Sequence, residues 1–274
     1  MGENKVKRIF ITGASSGLGA ALARHYAQQG AVLGLVARRR EELERLLAEL
    51  PPGSASPSHR LYALDVTDHA ALADAAADFL AHAGGIDIVI ANAGVSRGTL
   101  TEFAEDIPVI ERIMAVNVVA MAATFSPFIA AMKTQVRQGR DCRLVGIASV
   151  AGIRGLPGSE AYSASKAAVI SYCEALRVEL RAAGIKVVTI APGYVDTPMT
   201  RVNTYPMPFL MPASQFAERA AQVIDRGNSY AVIPWQMGMV AKLLRLLPNA
   251  VYDWVFAKAP HKPRNLPDPG QQAG

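Results

Sequence analysis

Tyr162-Ser-Ala-Ser-Lys166 sets a phenol and an ammonium four residues apart. On a helix that spacing puts both on one face. A neighbouring positive charge favours the phenolate, which makes the tyrosine a usable proton donor near neutral pH. Ser149, thirteen residues earlier in Ile147-Ala-Ser-Val-Ala-Gly152, adds a third hydrogen-bonding group if its strand ends beside that helix. Alone, Tyr-x-x-x-Lys reads more often as a surface tyrosine and a solvated lysine, so the elements around it must decide.

The N-terminus supplies the first of those elements. Val6 to Thr12 is β-branched and apolar, as a short buried strand requires. It runs into Thr12-Gly-Ala-Ser-Ser-Gly-Leu-Gly19 and then into a helix-forming stretch, Ala20 to Gly30, with glycine as its stop. Strand, glycine-rich turn and helix make the first unit of a dinucleotide-binding fold. There backbone amides approach a pyrophosphate and the helix N-terminus favours its charge. The spacing Gly-x-x-x-Gly-x-Gly departs from the usual Gly-x-Gly-x-x-Gly, and a tight turn without a ligand would look similar.

Thr12-Gly13-x-x-x-Gly17-x-Gly19, Ala91-Asn-Ala-Gly94, Asn117, Ser149, Tyr162-x-x-x-Lys166 and Pro192-Gly193 follow in that order. With this set the chain resembles the short-chain dehydrogenase/reductase family, in its single-domain branch, over about residues 5–235. Each motif is common; the joint set is specific. The resemblance implies a hydride-transferring oxidoreductase in which Tyr162 is general acid and base. Lys166 would lower its pKa and hold the nicotinamide ribose, and Ser149 would bond the substrate oxygen. Asn117 would hold a water linking Lys166 to solvent, although from its surroundings it reads only as a buried, bonded polar residue. The resemblance further implies cofactor contacts from Gly13, Ser15, Ser16, Gly17, Leu18 and Gly19 along the turn. Asp65 and Val66 would flank the adenine, and Asn92, Ala93 and Gly94 would line the ribose side. Pro192, Gly193 and Val195 would add contacts, and Thr197 would touch the carboxamide. A homodimer or homotetramer through helices at about 107–135 and 161–183 is also implied.

The rest of the pattern alternates strand and helix. Strands are expected at 31–36, 59–64, 86–91, 142–148, 185–191 and 230–233, and helices at 41–50, 67–82, 107–135, 161–183 and 213–226, with 51–58 a Pro/Ser-rich loop. This predicts an α/β fold, a Rossmann-like doubly wound parallel sheet of about seven strands. Ligands of such sheets bind beyond the strands' carboxyl ends, where Gly13, Arg38, Asp65, Asn92, Ser149 and Pro192 all fall. Residues 1–235 read as the catalytic domain and 236–274 as an amphipathic helical extension with a basic tail.

The second strand bears on cofactor choice. An acidic residue near its end would suit the ribose 2′-hydroxyl of NAD; here the chain reads Val36-Ala37-Arg38-Arg39. Arginine suits a 2′-phosphate through charge-assisted bonds, so NADP(H) is expected over NAD(H), with Arg38 as main contact and Arg39 as helper. The solvated alternative stays open for both.

Composition limits the other functions. The chain of 274 residues is 51% hydrophobic, with net charge +5 and mean hydropathy +0.18, which excludes a disordered chain. No basic run with interleaved aromatics suggests nucleic acid. Cys142 and Cys173 read as buried thiols of a reducing compartment, and the five histidines have no ligand-like spacing, so no metal is expected. The N-terminus enters the first strand directly, which predicts no cleaved leader and a cytoplasmic location. The uncharged stretch from Gly227 to Ala241 is too short to span a membrane.

Tyr205-Pro-Met-Pro-Phe-Leu-Met-Pro212 reads as an apolar wall over a hydrophobic carbonyl or alcohol, or as a segment packed on its own core. Pro234 to Leu247 and Ala250 to Ala257 are amphipathic, with tryptophan and basic residues. They could lie peripherally on a membrane, cover the substrate site or meet a partner subunit. The Pro-rich tail from Lys258 is expected to be disordered at its end. Two functions fit: an NADPH-dependent carbonyl reductase (alcohol dehydrogenase in reverse), or an NADP(H)-binding redox sensor or scaffold without turnover. The Asn-Ser-Tyr-Lys set favours the first.

Overall fold

A computed structural model describes residues 6–51, 58–203, 205–257 and 262–264. Seven parallel strands form the central sheet: β1 (Arg8–Thr12), β2 (Val32–Ala37), β3 (Arg60–Ala63), β4 (Ile88–Ala91), β5 (Arg143–Ile147), β6 (Lys186–Pro192) and, last in the chain, β9 (Tyr230–Ile233). Their order is β3-β2-β1-β4-β5-β6-β9. The chain leaves β1 toward β2 on one side and returns through β4 on the other, so a crevice opens between the carboxyl ends of β1 and β4. Both faces of the sheet are covered, which is why β1, β2, β4 and β5 are almost wholly buried and apolar without alternation.

The expected elements are present within two or three residues, with one larger difference. The first helix starts at Gly17, inside the glycine-rich turn, and ends at Gln28. Asp68 caps the helix His69–Ala83 by accepting from the Ala71 amide at 3.0 Å. Residues 52–57 of the expected 51–58 loop lie outside the described residues. The helix expected over 107–135 runs from Ala104 to Arg137, but its winding changes on the way. It is π-wound at Ala115–Val119 and 3₁₀-wound at Ser126–Phe128, where Pro127 cannot donate to the ladder. This helix is long and apolar enough to cross a membrane, yet it packs against the sheet through Val116, Ala120, Met121, Phe125 and Phe128, as a core helix does.

A small second sheet pairs β7 (Val195–Asp196) with β8 (Met211–Pro212). It pins the 195–212 segment at both ends. Both cysteines are free and buried, and burial pushes each thiol up to about 11.

At the amino ends of β1 and β4, Asp87 is 5% exposed and held by two arginines. Arg8 donates through Nε at 2.9 Å and Nη2 at 3.0 Å; Arg140 donates through Nε and Nη2, each at 2.7 Å. Burial opposes the charge on Asp87, but these bonds outweigh it and hold the carboxyl below its ordinary value.

The C-terminal extension packs on the sheet domain. Helix Trp235–Leu246 follows β9, and helix Asn249–Phe256 comes next. Arg154 donates to the carbonyls of Leu244 and Leu247, closing the first helix's end, and stacks 3.8 Å over the Tyr252 ring. Residues 262–264 of the tail pack against the segment 96–106; the tail's end, expected to be disordered, lies outside the described residues.

Candidate active site

Beyond the strand ends lies a cavity of about 650 Å³. It is lined by every expected site residue except Gly19 and Asn117, which stand just behind its wall.

Its floor is the turn after β1. Gly13 and Gly17 have φ of 67° and 56°, a region costly for other residues. A Cβ on Gly19 would sit 2.2 Å from the Gly13 carbonyl oxygen, so only glycine lets the turn fold onto the helix. Ser16 caps that helix with no side-chain bond, and the first turn holds no acidic residue. The helix N-terminus therefore presents free amides and a positive field to the cavity. Ser15, Ser16 and Leu18 line the turn. Asn92 is committed elsewhere: its Nδ2 donates to the carbonyls of Thr12 at 3.0 Å and Gly13 at 3.1 Å. Thr12 Oγ1 in turn accepts from the Asn92 and Ala93 amides, each at 3.2 Å. Asn92 thus staples β4 to the turn through Nδ2 while still lining the cavity.

At the other end of the crevice Arg38 and Arg39 are exposed on the cavity rim after β2, and Arg39 Nη2 reaches Ser15 Oγ at 3.3 Å. Val66 lines the cavity beside Asp65. Asp65 accepts from Arg112 Nη2 at 2.6 Å and from the Thr67 amide at 3.0 Å. Burial disfavours its charge, but the Thr67 amide and Arg112 more than compensate and keep the carboxyl below its ordinary value. No motif signals Arg112; it shares only a helix with Asn117.

The chemical end gathers three groups. Ser149 follows β5 and accepts from the Ala151 amide at 3.2 Å. Tyr162 and Lys166 stand on the helix Glu160–Leu180. That helix lies close because a Cβ on Gly152 would meet the Lys166 carbonyl carbon at 2.6 Å. Lys166 Nζ donates to the Ile147 carbonyl at 2.8 Å and lies 5.8 Å from the Tyr162 ring centroid. Burial lowers Lys166 to about 8. Burial also raises Tyr162, while its hydrogen bond with Ser149 draws it down. Here the expectation needs correction. The phenol stands above its ordinary value because burial outweighs the hydrogen bonding of Ser149, the group that opposes it.

Asn117 sits in the π-wound turn with both side-chain polar atoms bonded. Oδ1 accepts from the Val95 amide at 2.8 Å; Nδ2 donates to the Val95 carbonyl at 3.0 Å and to Ser165 Oγ at 2.9 Å. Both Nδ2 hydrogens are therefore spent, so a water beside Lys166 could meet this side chain only at Oδ1. A Cβ on Gly94 would lie 3.3 Å from Asn117 Oδ1 and 3.5 Å from Lys166 Nζ, so this glycine keeps the space before the ammonium open.

Pro192, Gly193 and Val195 line the cavity beside Thr197. Thr197 caps a short helix reciprocally with Thr200, whose hydroxyl accepts from the Thr197 amide at 3.1 Å. The expected apolar wall at 205–212 does not line the cavity. Phe209 and Leu210 are about half exposed, and Met211 is tied into β8. Met199, Val202, Val109, Ile113 and Val116 line it instead.

These features fit a nicotinamide dinucleotide. The amides of the glycine turn suit its pyrophosphate, the Gly94–Lys166 space its inner ribose, and the Tyr162–Ser149 pair the reacting end.

Comparison with known proteins agrees. The family described as short chain dehydrogenase matches residues 7–206. An uncharacterized oxidoreductase of Myxococcus xanthus is 38% identical over 253 residues, covering 92% of this chain and 97% of that one. A 3-ketoacyl-(acyl-carrier-protein) reductase from Brucella melitensis, solved with NADH, superposes with TM-score 0.74 at 29% identity, covering 82% of this chain and 94% of that one. A short chain dehydrogenase/reductase from Burkholderia phymatum, solved with NAD, gives TM-score 0.77 at 26% identity, covering 97% and 100%.

Proposed function

The chain belongs to the short-chain dehydrogenase family, and from that we propose an NADP(H)-dependent oxidoreductase acting on a hydrophobic carbonyl or secondary alcohol. The observation that carries this reading is the one cavity wall that brings Ser149, Tyr162 and Lys166 together, with the Lys166 ammonium 5.8 Å from the centre of the Tyr162 ring.

Bound along the crevice, the nicotinamide would supply the hydride for reduction or take it up in oxidation. Tyr162 and Ser149 line the same cavity, and in this reading one substrate oxygen meets both hydroxyls. Ser149 donates to that oxygen as negative charge develops on it. Tyr162 gives it a proton in reduction and removes that proton in oxidation. Lys166, held by Ile147, presents its remaining N–H groups to the ribose side and keeps positive charge behind the phenol.

Arg38 and Arg39 support the choice of NADP(H), since no carboxylate stands in the Val36–Arg39 stretch after β2 and guanidinium groups pair with a 2′-phosphate. The apolar wall of Val109, Ile113, Val116, Met199 and Val202 supports a hydrophobic substrate. Turnover of NADPH against carbonyls from small aldehydes to quinones, steroids and 3-keto acyl lipids tests the reading, with NADH and Tyr162→Phe in parallel. Loss in the mutant and weak turnover with NADH are expected; equal rates in the mutant would refute the role of Tyr162.

Two surfaces bear on partners. Exposed Ile107, Val119, Tyr172 and Val178 on the long helix and the Tyr162 helix support a homo-oligomer. Trp235, Leu243, Leu246 and Trp254, all more than half exposed on the C-terminal helices, support peripheral membrane contact of a cytoplasmic protein. Sedimentation with anionic vesicles tests the latter.

A further inference from the structure

We propose that the C-terminal tail completes the proton-transfer site: Lys262 is a positioning residue that sets a second ammonium against Tyr162 and favours its phenolate.

Lys262 Nζ donates to Ser96 Oγ at 2.7 Å, and Ser96 lines the cavity. The same nitrogen lies 5.8 Å from the Tyr162 ring centroid, as far as Lys166 does. One ring thus carries two ammonium neighbours, one from its own helix and one from a segment a hundred residues further along the chain.

The tail is seated by contacts that its neighbours are shaped to make. The Gly98 amide donates to the Pro263 carbonyl at 3.2 Å. A Cβ on Gly98 would stand 2.0 Å from the Lys262 carbonyl oxygen, so the tail's path requires glycine there. Arg264 grips Asp106 with two bonds, Nε to Oδ2 at 2.8 Å and Nη2 to Oδ1 at 3.1 Å, and stacks 3.8 Å over Phe103. A bidentate pair fixes orientation as well as distance. Asp106 is 6% exposed and its Oδ2 also holds the Leu100 amide at 2.8 Å, so the anchor itself is rigid.

The groups facing the phenol come from four places. Lys166 stands on its own helix, Ser149 follows β5, Tyr205 lies after the short helix at 198–201, and Lys262 comes from the tail. Tyr205, pushed up to about 12 by burial, stays neutral over the working range. Burial lowers Lys262 to about 8, so it remains charged at neutral pH. Burial raises Tyr162, and a cation beside the ring favours the phenolate against it. Lys262 thus adds to this ring a cation that the helix spacing does not supply.

This rests on Tyr162 being the proton-transfer group, but its test needs no substrate and so can fail separately. Carbon NMR of Cζ-labelled tyrosine follows the phenol, assigned by the signal lost in Tyr162→Phe, with circular dichroism marking the pH at which the fold fails. Lys262→Met should raise the Tyr162 midpoint by about one pH unit, and Lys262→Arg should keep it near wild type. Arg264→Met, which frees the tail but leaves Lys262 in place, should shift Tyr162 in the same direction as Lys262→Met, and the double variant should go little further. Coincident curves for wild type and Lys262→Met, or a phenol protonated in both until unfolding, would overturn the proposal.

Discussion

Lys166 Nζ donates to the carbonyl of Ile147 at 2.8 Å, tying the ammonium to the strand end two residues before Ser149. Helix and strand therefore place the ammonium, the phenol and the serine hydroxyl as one unit. Lys166→Met should leave the fold intact and lower kcat by about 10² or more, as the loss of an acid–base partner does. The same substitution predicts a pH-dependent stability difference. Folding lowers Lys166 to about 8 from an ordinary value of about 10.4. Between those values the unfolded chain binds more protons, so the wild type gains stability with rising pH. The gain is complete above about 10.4 and is lost as pH falls through about 8. Thermal midpoints of wild type relative to Lys166→Met, followed across that window, check the sign.

Arg38 and Arg39 should discriminate between cofactors. Arg38→Leu is expected to weaken NADPH binding by about tenfold or more, the worth of a charged hydrogen bond, and to leave NADH nearly unchanged. Fluorescence titration with both nucleotides measures the ratio; equal losses would contradict a 2′-phosphate contact.

Gly152 controls the approach of the Tyr162 helix. Gly152→Val would put its branches against the backbone at Lys166 and Ala167, forcing helix from strand. Turnover should fall by more than tenfold with nucleotide binding less affected, since a small misplacement of reacting groups costs about that much or more.

Much of this was legible in the sequence because it is local. Strand ends, helix caps and the Tyr162–Lys166 spacing are written in adjacent residues, and parallel strands buried on both faces show as continuous apolar runs. The unreadable parts depend on contacts between distant segments. Arg112 finds Asp65 only once the long helix packs against β4. The π-wound turn at 115–119 has no residue signature. The bonds from Asn92 Nδ2 to the Thr12 and Gly13 carbonyls cross eighty residues of chain, so position alone does not show them. Lys262 lies in a Pro-rich tail whose composition suggests disorder, and its contact with Ser96 spans most of the chain.

Asp87 should be the main acid-sensitive group at the far end of the sheet. Asp87→Asn leaves Arg8 and Arg140 without a buried counter-charge and should cost about 3 kcal/mol or more, read by urea unfolding at neutral pH. Its folded pKa is lowered, so its stabilisation is present above about 3.9 and is lost as pH falls through the lower folded value. The gap between mutant and wild type should therefore hold down to about pH 4 and close only below it.

The central claim is hydride transfer with proton delivery by Tyr162, and isotope transfer tests it most directly. Wild-type protein would be incubated with NADPH deuterated at the nicotinamide C4 and a panel of apolar carbonyls, and the products read by mass spectrometry. One deuterium on the carbinol carbon from wild type, and none from Tyr162→Phe despite undiminished NADPH binding, is the predicted result. Tight NADPH binding with no deuterium on any product would contradict the account and favour an NADP(H)-binding sensor.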